Sequence, residues 1–395
     1  MQIWNTTGKK LHPQVLKYTV GDDYILDQKV FLPYDLQASL AHAEMLAKIK
    51  ILTGAEFAQV KKGLTEIKRL WEKGEFIITQ EQEDCHAAIE QYLTKHFGAC
   101  GEKIHTSRSR NDQSLAMIRL YEIDQLHVLR RLVNSLSIAW QKWIKIHGKI
   151  QMPGYTHMQK AMPTTVGTWQ GCYLDAMRDA DELLDEVLEL LDQSPLGSGA
   201  GYELPIKIDR QFTAKRLGFS RVQENPIYCQ LSRGLFEGQV LNAAVYAMTI
   251  LNRWASDLLL FTTKEFDFFA LPKNFCTGSS IMPQKQNYDV LEIMRANLAV
   301  TEAAQIEMQQ IISKLFLGYN RDLQLVKAPL HKGLQVAMDT LEIALVIAPE
   351  LKPNKDKLSA ALTPELFATA EIFKRVKKGV SFRTAYGAVK KEIRR

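Results

Sequence analysis

The sequence predicts an all-α fold organised around a long central bundle, and three observations carry that prediction. Apolar residues recur at alternating spacings of three and four over unusually long stretches. Runs of alternating β-branched residues closed by Asn-Gly or Asp-Gly turns are missing, so strand signals are few. Across 395 residues, 46% are hydrophobic and 24% charged, which excludes a disordered or collagen-like chain and supplies apolar surface for a sizeable core.

Taken in order, residues 1–105 read as an N-terminal helical domain of shorter helices. These run roughly Leu36–Ile51, Glu56–Lys73 and Glu81–Phe97, broken by Gly54, Gly74 and Gly98. Residues 106–350 read as a five-helix central bundle. Its first helix, from about residue 112, carries Leu129, Val133, Leu136, Trp140 and Trp143 on one stripe. The second spans Cys172 to Leu191, and the third places Phe236, Val240, Ala243, Ala247, Ile250, Trp254, Leu258 and Phe261 on one face. The fourth runs from Leu291 to Leu315, and the fifth carries Leu323, Val326, Leu330, Leu334, Ala337 and Leu341. Helices of about 20–35 residues are about 30–50 Å long at the α-helical rise. Helices of that length, apolar around much of their circumference, point to bundles packed on partner bundles and hence to an oligomer. Pro349 and Pro353 introduce a short C-terminal helical domain, residues 351–395.

The net charge of +6 is lopsided. Lys374 to Arg395 holds nine Lys or Arg and one acid, Glu392, so this segment carries +8 and everything before it −2. A basic segment with few aromatics reads as a solvated helix face, and no nucleic-acid partner is expected. No apolar run approaches the roughly 18 residues that cross a bilayer, and no apolar signal stretch opens the chain, so a cytoplasmic location without a membrane partner is expected. Cys85, Cys100, Cys172, Cys229 and Cys276 are odd in number, scattered, and form no Cys-x-x-Cys pair; they read as reduced packing residues.

In an all-helical chain, polar segments that interrupt the helices need a reason. Four stand out. His105 to Gln113 is an unbroken polar run in which Asn111 or Asp112 can cap the following helix, while two arginines at a helix start form a cradle for a carboxylate or phosphate. Met152 to Gln159 reads as a turn leading to a helix near Thr165, and it holds His157, a residue type suited to acid–base work near neutral pH. Thr277 to Asn287 is a loop with Ser279, Ser280, Lys285 and Asn287; a cation near a serine favours its alkoxide, and an amide donor can support a developing oxyanion. Leu317 to Lys327 opens the last long helix, with Gln324 and Lys327 three apart. Neither a zinc-type histidine pair nor a glycine-rich phosphate loop is present, so cofactor-free and metal-free chemistry is expected.

The third segment, TGSSIMPQKQN, resembles the signature of the fumarase and aspartase superfamily. Together with IHTSRSRNDQ, MPGYTHMQKAMP, SPLGSGAGYELPIKIDR and GYNRDLQLVK it is similar to the argininosuccinate lyase branch, with agreement from about Val20 through Arg383. The resemblance implies a five-helix central domain between two smaller helical domains, a homotetramer with a twenty-helix core, and active sites completed by different subunits. It implies a carbon–nitrogen lyase that splits argininosuccinate into fumarate and arginine by anti elimination, within arginine biosynthesis. By the same resemblance Ser279 would be the base, supported by Lys285 and Asn287, and His157 the acid-side partner oriented by Glu292. Asp289 and Glu292 also have capping-box spacing, so Glu292 has a structural alternative. Ser109, Arg110, Asn111, Thr156, Tyr319, Gln324 and Lys327 match substrate-binding positions, as do Ser39 and the pair Asp84 and His86. Four positions depart from the pattern: Ser107 in place of Gly, Lys160 of Arg, Gln286 of Lys, and Tyr288 of Pro. Two other readings stay open, a sibling lyase acting on adenylosuccinate, aspartate or malate, and a non-catalytic relative of the delta-crystallin kind.

Overall fold

The computed structural model describes residues 11–202 and 204–393. Helices dominate, and among the described residues strands form three two-stranded pairs. The five long helices are Arg110–His147, Val166–Leu191, Leu235–Phe261, Asp289–Ile312 and Lys327–Ile347, between 21 and 38 residues in length. The chain divides into two compact units, one of residues 1–129, 183–245 and 300–335, the other of residues 130–182, 246–299 and 336–395.

In the first unit the helix Leu32–Lys48 packs on Gly54–Glu72 and on Arg210–Leu217. Small side chains make this close: Ala38, Ala41 and Ala116 meet Leu120, Leu196 and Leu217 in one buried cluster. Gly54 opens its helix rather than breaking one. Thr53 accepts the Glu56 N–H at 3.2 Å and Glu56 accepts the Thr53 N–H at 2.8 Å, a capping box that fixes the helix start. A single π-helical turn, Asp27–Phe31, precedes Leu32–Lys48 and turns Asp27 fully inward. Such turns recur at functional sites.

In the second unit the core is aromatic. Trp140 and Trp254 are buried with ring centroids 5.2 Å apart, and Trp169 stacks on Phe269 at 4.8 Å. Trp254 donates to Gln170 at 3.0 Å, and Trp169 and Tyr173 both donate to one Asp257 oxygen at 2.7 Å, whereas the buried Trp140 N–H has no hydrogen-bond partner among the described residues. The segment expected to be a turn before a helix is instead an antiparallel hairpin, Gln151–Thr156 with Gln159–Thr165. The pair Phe269–Ala270 with Lys352–Pro353 ties the C-terminal segment into this unit, and its last two helices pack through Ile372, Ala385 and Val389. Among the described residues no helix is long and apolar enough to cross a membrane.

Candidate active site

The first unit holds a cleft lined by Asp84, His86, Arg110, Asn111, Tyr319, Gln324 and Lys327, together with Asp23, Ser114, Arg233 and Arg321. Its floor is the start of the Arg110–His147 helix, capped two or three residues earlier than the sequence suggests. Ser109 is the cap: its hydroxyl accepts the Asn111 N–H at 3.2 Å, and its own N–H donates to Asp112 at 2.8 Å. The second Asp112 oxygen accepts the Gly197 and Gly199 N–H groups at 2.9 and 3.0 Å, pinning the SPLGSGAG segment to the helix start. Gly197 has φ +88, a left-handed backbone that calls for glycine. Burial lifts the Asp112 carboxyl to about 6 against these amides, which work to lower it. Ser107, where the resembled pattern has glycine, has φ +58, a left-handed backbone that explains the preference for glycine.

Of the four cations of the cleft, Lys327, Arg110 and Arg321 are already paired with carboxylates, while the buried Arg233 Nε has no hydrogen-bond partner among the described residues. The Lys327 ammonium, 4% exposed, lies 2.5 Å from Asp27 and 2.7 Å from Asp23. Burial works against this ammonium, but the two aspartates outweigh it and its proton is held more tightly than usual. Asp23 is raised to about 6 by burial and by the neighbouring Asp27, with Lys327 opposing. Arg110 pairs with Asp84 and stands 3.7 Å from Glu83, which also holds Arg321 at 3.2 Å. Asp84 additionally caps the Cys85–Phe97 helix through the Ala87 N–H at 2.9 Å. The Arg233 guanidinium lies over the Tyr319 ring, 5.4 Å from its centroid. Gln324 donates to Thr19 and Val20 carbonyls at 3.1 and 3.3 Å. Gln324 and Lys327 reach the same cleft from different elements, a 3-10 turn at Arg321–Gln324 and the helix beginning at Lys327, not from one helix face.

Below the cleft His86 contacts Asp35 at 2.9 Å, and Gln113 donates to the other Asp35 oxygen at 2.8 Å. Burial would raise Asp35, but His86 and Arg108 prevail and hold it below the usual carboxylate range. Ser39 is fully buried and accepts from Arg108 at 2.9 Å, so it supports the floor rather than lining the cleft. Asp35, Cys85 and His86 are ligand types close enough to share a metal ion. The Asp35 oxygens are already engaged by His86 and Gln113, so the cluster fits a hydrogen-bond network better than a metal centre.

The remaining candidates belong to the second unit. Thr156 pairs with Gln159 across a two-residue turn whose central residues, His157 and Met158, have φ +53 and +61. This is the twist hairpins favour, built without the usual glycine, and it presents the His157 ring at an exposed tip. Ser279 lies on the loop between Thr277 and Asn287, and its Oγ accepts N–H groups from Met282 at 3.1 Å and Ile281 at 3.4 Å. Two amide donors on one hydroxyl oxygen favour negative charge there. Lys285 is exposed on the same loop and Asn287 closes its neck. Glu292 lies exposed in the first turn of the Asp289–Ile312 helix; among the described residues of one chain it makes no ion pair with His157.

Sequence reasoning missed Asp23, Asp27, Glu83, Arg233 and Arg321. Asp23 and Asp27 are four apart, which puts them on one helix face, but nothing in the local pattern says which cation they meet.

The fold is shared with solved lyases. EDDS lyase in complex with formate superposes with a TM-score of 0.81 at 24% identity, covering 97% of this chain and 76% of that one. Class II fumarase from Schistosoma mansoni gives 0.74 at 17% identity, covering 95% and 91%. The family described as Lyase matches residues 18–301, so fold and sequence together define a lyase. Among curated relatives, the argininosuccinate lyase of Thermotoga neapolitana is 44% identical over 98% of this chain and 97% of its own length. That of Sorangium cellulosum is 40% identical over 100% and 91%. The chain belongs to the argininosuccinate lyase family.

Proposed function

We propose that this chain catalyses the reversible anti elimination of argininosuccinate to fumarate and L-arginine, as a cytoplasmic homotetramer whose sites draw on more than one subunit. The observation that carries the reading is the cleft of paired charges. Three of its four cations, Arg110, Arg321 and Lys327, are held by the protein's own carboxylates, so a substrate bearing carboxylates at one end and amino and guanidino groups at the other can exchange with them ion for ion. In this reading Ser279 takes the proton beside a succinate carboxylate, with Lys285 and the loop amides stabilising the negative charge. The C–H electron pair forms the new double bond, the C–N bond breaks, and the departing guanidino nitrogen receives a proton from the His157 side, with Glu292 orienting the imidazole. Proton transfers balance the reaction without a redox step.

Fumarate absorbance after adding argininosuccinate to the full chain tests this directly. Turnover of adenylosuccinate, aspartate or malate with none of argininosuccinate would overturn it. Sharing of sites has its own test. His157→Asn removes the imidazole while keeping a residue that tolerates the left-handed turn. Mixed with Ser279→Ala after mild dissociation, it is expected to regenerate activity that neither variant shows alone; background activity in verified mixed oligomers rules out shared sites.

Arg110 provides a third expectation. Its planar fork faces Asp84 and Glu83 in the cleft. Arg110→Lys keeps the charge but loses the two-pronged contact, and kcat/KM is expected to fall at least about tenfold, or about 1.4 kcal/mol. Unchanged kinetics beside a lower Tm would leave Arg110 a purely structural role.

A further inference from the structure

The Ser279 loop leaves its unit and returns through a closed neck. Thr277 N–H donates to the Asn287 carbonyl at 2.9 Å, and Asn287 N–H to the Thr277 carbonyl at 3.0 Å. The Thr277 hydroxyl also bonds the Asp289 carboxylate. These links join the two legs of the loop to each other, so the segment between them turns as a ring. Besides this link to Asp289, the first residue of the Asp289–Ile312 helix, a second side chain ties the neck to the body of the unit: Tyr288, between Asn287 and Asp289. Its hydroxyl accepts the Leu271 N–H at 3.3 Å and donates to the Leu271 carbonyl at 3.5 Å. Leu271 is buried and directly follows the Phe269–Ala270 strand, so the tether ends on a fixed point.

We propose that Tyr288 is a positioning residue for the elimination: its hydroxyl, seated on the Leu271 main chain, sets the angle at which the closed ring leaves the fold and therefore where the Ser279 oxygen stands. The proposal rests on the reading that Ser279 takes the substrate proton. Because the Thr277–Asn287 bridge closes the neck, a rotation there moves the base of the whole loop that carries Ser279. Misplacing a reacting group by about 1 Å can cost about 10²-fold in rate.

Two replacements separate positioning from bulk. Tyr288→Phe keeps the ring and removes the tether. Tyr288→Pro also lacks the hydroxyl, but its fixed φ and the extended backbone it imposes on Asn287 hold the neck by other means. Proline costs no hydrogen bond here: among the described residues the Tyr288 N–H donates none, and its carbonyl, which accepts the Leu291 N–H at 2.9 Å, is retained.

In the full chain, Tyr288→Phe is expected to lower kcat about tenfold with KM within about twofold, since substrate contacts are untouched. Tryptic cleavage after Lys285 should quicken about fivefold as the loop, no longer held on the Leu271 main chain, moves more freely. Tyr288→Pro should bring both quantities back toward the parent. Unchanged kcat and cleavage in Tyr288→Phe overturns the proposal. Ser279→Ala run alongside keeps the two ideas apart: if it still turns over substrate, the assignment of Ser279 fails, while the cleavage rates still report whether Tyr288 fixes the loop.

Discussion

Replacing Ser279 by alanine is expected to reduce turnover by about 10²–10⁴-fold or more while fold, assembly and substrate binding persist. The side chain is half-exposed on a loop and contributes nothing to either core, so alanine removes one oxygen and little else. That oxygen is where the Ile281 and Met282 N–H groups converge, and without it the two amides have no alkoxide to stabilise. Fumarate release and a thermal melt on one preparation check both halves of the expectation. Near-normal turnover would remove Ser279 from the role of base.

The largest stability effect is expected at Lys327. Lys327→Met strands Asp27, wholly buried, and Asp23, 13% exposed, without their shared cation. Breaking a buried pair by removing one partner costs about 3–5 kcal/mol, and a denaturant titration would read it. The deficit has a defined pH dependence. Burial already holds Asp23 at about 6 against an ordinary 3.8, and losing the ammonium lifts it further. The folded variant therefore binds protons more tightly than the unfolded chain, so its deficit is smallest below about pH 3.8 and grows as pH rises through 6. Adding Asp27→Asn should recover part of the loss. A melting curve identical to the parent's would show that the ammonium is not needed where it lies.

How much of this was legible in the sequence varies with how local the cause is. The long helices were, because the three-four spacing around Trp140, Trp254 and Leu334 records their burial directly. The 151–165 hairpin was not. Pro153 and Pro163 sit opposite each other in it, and its turn uses His157 and Met158 where Asn-Gly would have advertised a hairpin. Capping was half legible: the polar run before residue 113 contains several competent caps, and Ser109 wins because Asp112 falls three residues later. Candidate site residues were found through motifs, and the cleft gathers Asp84, His86, Arg110, Asn111, Tyr319, Gln324 and Lys327. Apart from Asp84, the carboxylates that hold the cleft's cations stayed hidden, since Glu83 meets Arg321 across 238 residues of chain and Asp27 meets Lys327 across 300.

That last separation has a consequence for biosynthesis. At about 5–20 residues per second, a ribosome adding 300 residues leaves Asp27 without its counter-ion for about 15–60 s. Gln324 is needed just as late, to satisfy the carbonyls of Thr19 and Val20. Residues 19–27, made about 300 residues before their partners, are thus among the last of this unit to be completed. While they wait, water must solvate both aspartates, which keeps this end of the nascent unit open until the fifth long helix emerges. A ribosome stalled before residue 327 would expose a hydrated, half-built cleft, the kind of surface on which chaperones and proteases sort new chains.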